Sequence, residues 1–182
     1  SDVRALVIVP GAIFESAEKG GVIMGYEASV CGAIPIIKAV RESFTGDIIV
    51  SMFGIMNGTC NYILSKMQDE GLAFEQALKQ AQKNGYAEAD PAIDLSGLDA
   101  GHKLVILLKL AYGIDIDFKK LSIIGIDKIN RDDIDFANEM ECAIKLIAFA
   151  EKKDDRIFAG VRPMMVKRSN FLSEVDGATN AV

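Results

Sequence analysis

A single histidine, His102, and three scattered cysteines leave this 182-residue sequence short of the side chains that hold zinc. Cys31, Cys60 and Cys142 are odd in number and show no C-x-x-C spacing, so they read as reduced core thiols of a cytoplasmic protein rather than a disulfide framework or a metal site. With one histidine in the chain, a Cys-His nucleophile pair would be a coincidence. The longest apolar run, 104–108, is far below the ~20 residues a membrane helix needs, and no signal peptide is read. No Lys/Arg cluster stands free of acids, and 20 basic against 26 acidic residues give a net charge of −6, which argues against a nucleic-acid partner. No G-x-G-x-x-G follows a strand, so nothing here cradles a dinucleotide. Internal repeats, low-complexity segments and internal linkers are likewise missing.

Apolar residues are abundant. Half the chain is hydrophobic and mean hydropathy is +0.22, high for a monomer, which predicts an apolar surface covered by a partner. The length suits one domain that buries roughly 70% of its unfolded surface without staples.

The chain is organised around residues 85–103, which hold Glu88, Asp90, Asp94, Asp99 and Lys103. Asp90 precedes Pro91, so Glu88, Asp90 and Asp94 are expected on an extended segment. Ser96 is the expected N-cap of a helix, with Asp99 close to a capping-box position, and Gly113 ends that helix in a left-handed turn. Asp99 and Lys103 then stand at i and i+4 on one face of a helix otherwise apolar nearly all round. The plain alternative is an ordinary exposed ion pair beside a helix end that attracts acids. The sharper reading is a site where acids bind a small cationic substrate and an amine moves a proton. A divalent-metal-binding module built on the acids is the weakest alternative, because Pro91 breaks any EF-hand spacing.

Elsewhere, residues 5–9 suggest a short strand, Pro10-Gly11 a break, and 13–19 a helix closed by Gly20-Gly21; the opening reads as cut. Alternation predicts a strand over 22–30, a tight loop over 31–34, and a helix over 36–44 with Pro35 at its start and Ile36, Ile37, Val40 and Phe44 buried. A strand over 48–56 leads through Asn57-Gly58-Thr59 into a helix whose free N–H groups could hold an anion. A helix over 74–84 closes at Gly85, and these two helices can bring the Asn57 turn and the acids together. A strand over 121–126, an acidic helix over 131–140 capped by Asn130, and a hairpin around Asp154-Asp155 complete the chain. Pro163 marks an edge or an end of the returning strand. The sum is an α+β domain with a mixed, mostly antiparallel sheet and helices packed on one face.

Gly54-Ile55-Met56-Asn57-Gly58-Thr59, Asn61-Tyr62-Ile63-Leu64, Ala81-Gln82, Gly85 to Pro91, Asp94 to Lys103 and Tyr26-Glu27-Ala28-Ser29-Val30 with Gly32 and Ile34-Pro35 together resemble the catalytic domain of homoserine dehydrogenase. The resemblance covers about residues 21–182, and residues 1–20 would be a remnant of, or linker from, a dinucleotide-binding domain missing from this chain. It implies NAD(P)-dependent interconversion of aspartate semialdehyde and homoserine in threonine, methionine and isoleucine biosynthesis, by a cytoplasmic homodimer. It further implies Lys103 and Asp99 as catalytic, Glu88, Asp94, Tyr86 and Thr59 as substrate-binding, and Asn57 and Gly58 as cofactor-binding. Backbone carbonyls of Glu27, Val30, Gly32 and Ile34 would hold sodium. The family places a second lysine, after an asparagine, where this chain has Val9-Pro10-Gly11, so either that lysine is absent or its segment has been lost. The alternative function is a non-catalytic amino-acid-binding or regulatory module derived from the same domain.

Overall fold

The computed structural model describes residues 10–182, with side chains from Glu15 onward; the strand expected over 5–9 lies outside the described residues. Helix α1 (Pro10–Lys19) closes at Gly20 and Gly21 as expected, but Pro10 opens it instead of marking a break. Residues 22–30 are not a strand. Val22 is 62% and Ile23 fully exposed, and Glu27–Ser29 is a turn of 3₁₀ helix. Among the described residues the alternation there has no neighbouring strand to pair with, and the Glu27 carboxylate instead accepts from the N–H groups of Ile37 (2.8 Å) and Lys38 (3.0 Å), capping the next helix from outside.

That helix, α2 (Ile36–Lys38), follows the tight 31–34 loop, in which Cys31 (φ 49°) and Ala33 (φ 72°) hold left-handed backbone. It widens into a π turn over Ala39–Ser43 and buries Ile37 and Val40, while Phe44 is left exposed. Strand β1 (Ser51–Gly54) is shorter than the sequence suggested, with Ile48 and Val50 exposed. Helices α3 (Gly58–Asp69) and α4 (Phe74–Lys83) pack against each other, and Gly85 turns the chain at φ 76°.

Asp94 sits in a short helix, α5 (Ala92–Leu95), and not on extended chain. Helix α6 (Leu98–Tyr112) is not capped by Ser96. Its N-cap is Gly97 at φ 81°, where a Cβ would stand 3.1 Å from Ile123 Cγ2, so both backbone and space demand glycine. Asp99 is thereby released from capping. Gly113 ends α6 in the expected left-handed turn.

Strand β2 (Ser122–Ile123) is only two residues long, because beyond it the chain runs against α5: a Cβ on Gly125 would stand 2.0 Å from Leu95 O. Helix α7 (Arg131–Glu139) starts at a capping box formed by Asn130 and Asp133. The hairpin β3 (Cys142–Lys153) and β4 (Arg156–Lys167) turns at Asp154-Asp155. The sheet order is β1-β3-β4-β2, antiparallel except for β2 with β4. Pro163 lies beyond the Ser122–Ile123 pairing, on a free edge of β4 where its missing N–H costs no bond.

Residues of β3 alternate between two faces. Ile144, Leu146, Ala148 and Ala150 join Ile63, Leu64 and Met67 of α3, Leu104, Leu107 and Leu108 of α6, and Ile134 of α7 in one core. Truncating a leucine such as Leu107 there costs about 2–5 kcal/mol. The opposite face carries a smaller cluster of Ile55, Ile147 and Leu172, and it is crossed by the C-terminal segment. That segment is tied down by polar bonds. Asn61 Nδ2 donates to the carbonyls of Val175 (2.8 Å), Gly177 (3.0 Å) and Thr179 (3.3 Å). The buried Lys145 Nζ donates to Val175 O (2.7 Å) and Asp176 Oδ1 (3.0 Å), and Ile55 exchanges backbone bonds with Ala181.

Candidate active site

The two helical connections do fold back as the spacing suggested, so that the turn after β1 meets α5 and the start of α6. Asn57, 4% exposed, caps α3 by accepting from Cys60 N at 2.8 Å. Its Nδ2 donates to Asp94 Oδ1 and to Asp99 Oδ2, each at 2.8 Å. Lys103 Nζ donates to that same Asp99 oxygen at 2.7 Å and to Met56 O at 2.8 Å. With side chains 16% and 23% exposed, Lys103 and Asp99 form a partly sheltered pair at the mouth of α6 and not the freely solvated pair of the plain alternative.

Burial holds the Asp94 carboxyl above the usual range; the Asn57 hydrogen bond opposes this and the Asp99 charge adds to it. Two thiols stand close by. Burial raises Cys60 well above its ordinary value, and its Sγ donates to Asp94 O at 3.1 Å. Burial likewise raises Cys31 to about 11, with the Lys103 and Asp99 charges acting in opposite senses. Both are poor nucleophiles, in keeping with the reading of the cysteines as core thiols.

Thr59, in the first turn of α3, donates from Oγ1 to Tyr86 O at 2.6 Å, and the Tyr86 ring lies 4.8 Å from that of Tyr62. Glu88 is on the exposed rim. Gln82 Nε2 donates to its carbonyl at 3.2 Å, while its carboxylate has no bond to the described residues. The structure therefore gathers Asn57, Asp94, Asp99 and Lys103 into one network, sets Thr59 and Tyr86 beside it, and leaves Glu88 and Asp90 outside it on the exposed surface, Asp90 accepting from Ala92 N at 3.2 Å. Gly58 lets the C-terminal segment close on the turn: a Cβ there would lie 2.7 Å from Ala178 O.

The 27–34 segment is a separate feature. The carbonyls of Val30 and Gly32 accept no hydrogen bond from the described residues, while those of Glu27 and Ile34 accept from Val30 N (3.3 Å) and Ile36 N (2.8 Å). Among the described residues no group of three or more His, Cys, Asp or Glu is arranged to hold a metal ion, and no helix is long and apolar enough to cross a membrane.

Two connections escaped the sequence reading: the double donation of Asn57 and the acceptance of Lys103 by Met56 O. An asparagine in front of a helix signals a cap, but nothing local signals partners 37 and 42 residues away.

Fold and residues define an α+β domain in which two carboxylates, a lysine and an amide converge at the turn after β1. The chain belongs to the homoserine dehydrogenase family, whose sequence model matches residues 35–182. It is 50% identical to the homoserine dehydrogenase of Helicobacter pylori over 159 residues, covering 87% of this chain and 38% of that one. It is 46% identical to the Neisseria gonorrhoeae homoserine dehydrogenase over 170 residues, covering 93% and 39%. The homoserine dehydrogenase structure from Thiobacillus denitrificans superposes with a TM-score of 0.93 at 42% identity, over 98% of this chain and 41% of that one. A Staphylococcus aureus homoserine dehydrogenase at pH 7.5 gives 0.81 at 33%, over 96% and 40%. The chain thus spans about two-fifths of the length of these relatives.

Proposed function

We propose that this chain is the substrate-binding catalytic domain of an NAD(P)-dependent homoserine dehydrogenase, interconverting L-aspartate 4-semialdehyde and L-homoserine in the biosynthesis of threonine, methionine and isoleucine in the cytoplasm. The observation that carries it is the Lys103–Asp99 pair at 2.7 Å, tied through Asn57 to Asp94. An alcohol oxidised to an aldehyde must lose its hydroxyl proton as hydride leaves the same carbon. Lys103 Nζ is the group to relay that proton. Asp99 balances its charge and keeps the ammonium within reach. Asp94 and Glu88 hold the substrate ammonium, and Thr59 and Tyr86 line the pocket.

The nicotinamide, when bound, supplies the hydride acceptor. Its dinucleotide is held by a further domain of the full-length protein. Here the N–H groups of Gly58 and Thr59, which donate to no described residue, suit the Asn57-Gly58 turn to the cofactor side. The carbonyls of Glu27, Val30, Gly32 and Ile34 suit a monovalent cation such as sodium, since two of the four accept no bond from the described residues. The sheet face carrying Phe53 and Phe158, 37% and 49% exposed, is the interface of a homodimer, and a monomer in sedimentation at micromolar concentration would count against it.

The deciding assay is NAD(P)-dependent homoserine oxidation by the full-length protein and by the 182-residue chain alone. The former should be active and the latter nearly inactive, because hydride transfer needs a nicotinamide held about 3–3.5 Å from the substrate carbon. A full-length protein that binds homoserine without oxidising it would instead support the non-catalytic module.

A further inference from the structure

Asn57 uses both polar atoms of its side chain. Oδ1 is committed to the cap of α3, and Nδ2 divides its donors between two carboxylates on two other elements, Asp94 on α5 and Asp99 on α6. Two carboxylates placed this close repel one another, and of the two Lys103 hydrogen-bonds Asp99, its other acceptor being Met56 O. Asn57 and Lys103 reach the same oxygen, Asp99 Oδ2, at 2.8 Å and 2.7 Å, while Asp99 Oδ1 accepts nothing from the described residues and stays available to a ligand.

The residue type is specific to this task. Aspartate has the same shape but no N–H, and serine can cap a helix but cannot donate to two acids at once. Because the cap fixes the amide to the first turn of α3, any shift of that turn moves both acids together.

The geometry points to Asn57 as the positioning residue of this site: its amide, anchored as the cap of α3, fixes Asp94 against Asp99 and, through Asp99 Oδ2, sets where the Lys103 ammonium stands. This rests on the proposed role of Lys103 as proton relay.

The test compares Asn57→Asp with wild type in the full-length protein. The variant keeps shape and cap, loses the donor and adds a carboxyl. Expected is a roughly 10- to 100-fold fall in kcat, the scale of a misplaced reacting group, with much smaller changes in KM and melting temperature. The pH profile of kcat should move to higher pH, since extra negative charge favours the ammonium form of Lys103. Unchanged kcat and pH profile in a folded variant overturns the proposal. So does a fall in kcat that merely tracks lost stability with the profile in place. If Asn57→Asp does not fold, Asn57→Ser decides by the same split of kcat from KM and melting temperature. If wild type itself oxidises no homoserine, the functional reading fails separately, and ¹³C-carboxyl titration of Asp94 in the same proteins still judges the geometry. An upward move in Asn57→Asp supports it, and no move refutes it.

Discussion

The acids of residues 85–103 divide into two pairs with opposite fates. Asp94 and Asp99 sit on helices, partly sheltered, and share the amide of Asn57; Glu88 and Asp90 stand on the exposed rim, where Asp90 accepts only from the nearby Ala92 N–H and the Glu88 carboxylate bonds to none of the described residues. Charge density along the sequence is alike for both pairs. What separates them is Pro91 and α5, which turn the chain inward after Asp90 and deliver Asp94 to the turn that follows β1. A cluster of carboxylates therefore says where chemistry can occur, and the backbone decides which of them meet a lysine.

The contrast breaks most sharply at Lys103. In the full-length protein Lys103→Ala should lower kcat about 10²- to 10⁴-fold while KM moves far less, the usual worth of general acid–base catalysis. Steady-state kinetics with homoserine as the varied substrate would reveal it, and full activity in a folded variant would reduce the pair to an ordinary surface contact. On the rim, Glu88→Gln should act on binding: KM for homoserine rises about tenfold, near 1.4 kcal/mol, with kcat little changed, because an interaction made alike in ground and transition states is uniform binding. A fall in kcat without a rise in KM would place Glu88 in the inner set.

The smallest effect concerns stability. The folded-state carboxyl of Asp94 is raised by burial, so the folded protein holds its proton to higher pH than the unfolded chain does. Its contribution is most favourable below the unfolded value and is lost as pH rises through the folded one. Asp94→Asn, which keeps an acceptor for Asn57, should therefore melt a few degrees higher than wild type near neutrality, with the difference vanishing toward pH 3. Melting curves across that range would show a constant or reversed difference if burial is not what burdens the group.

Much of this organisation was legible because it is local. The turn at Asn57-Gly58-Thr59, the cap at Asn130, the stop at Gly113 and the hairpin at Asp154-Asp155 all follow from residues within a few positions of each other. Strand lengths were not. Residues 48–56 are mostly apolar, yet only Ser51–Gly54 pair in register with β3, Val50 adds a single bond from Lys152 N, and Ile48 is exposed chain. Residues 22–30 alternate as a strand should, but Glu27 is claimed by the start of α2. In the site, the i, i+4 spacing of Asp99 and Lys103 was readable, whereas Asn57's choice of two acids depends on how α3, α5 and α6 converge.

The bonds of the C-terminal segment have a consequence during synthesis. Asn61, Lys145 and Ile55 are made long before residues 175–181, which satisfy their amide, ammonium and backbone groups. Until residues 175–181 leave the ribosome, α3 would have to bury an amide and β3 a lysine without partners, at a cost of several kcal/mol for the charge alone. The nascent chain thus carries Asp99 and Lys103 well before it can settle the helix whose cap orients them. Docking of the 175–181 segment then supplies these partners, and a chain stalled shortly before Val175 is a form that chaperones and proteases should meet.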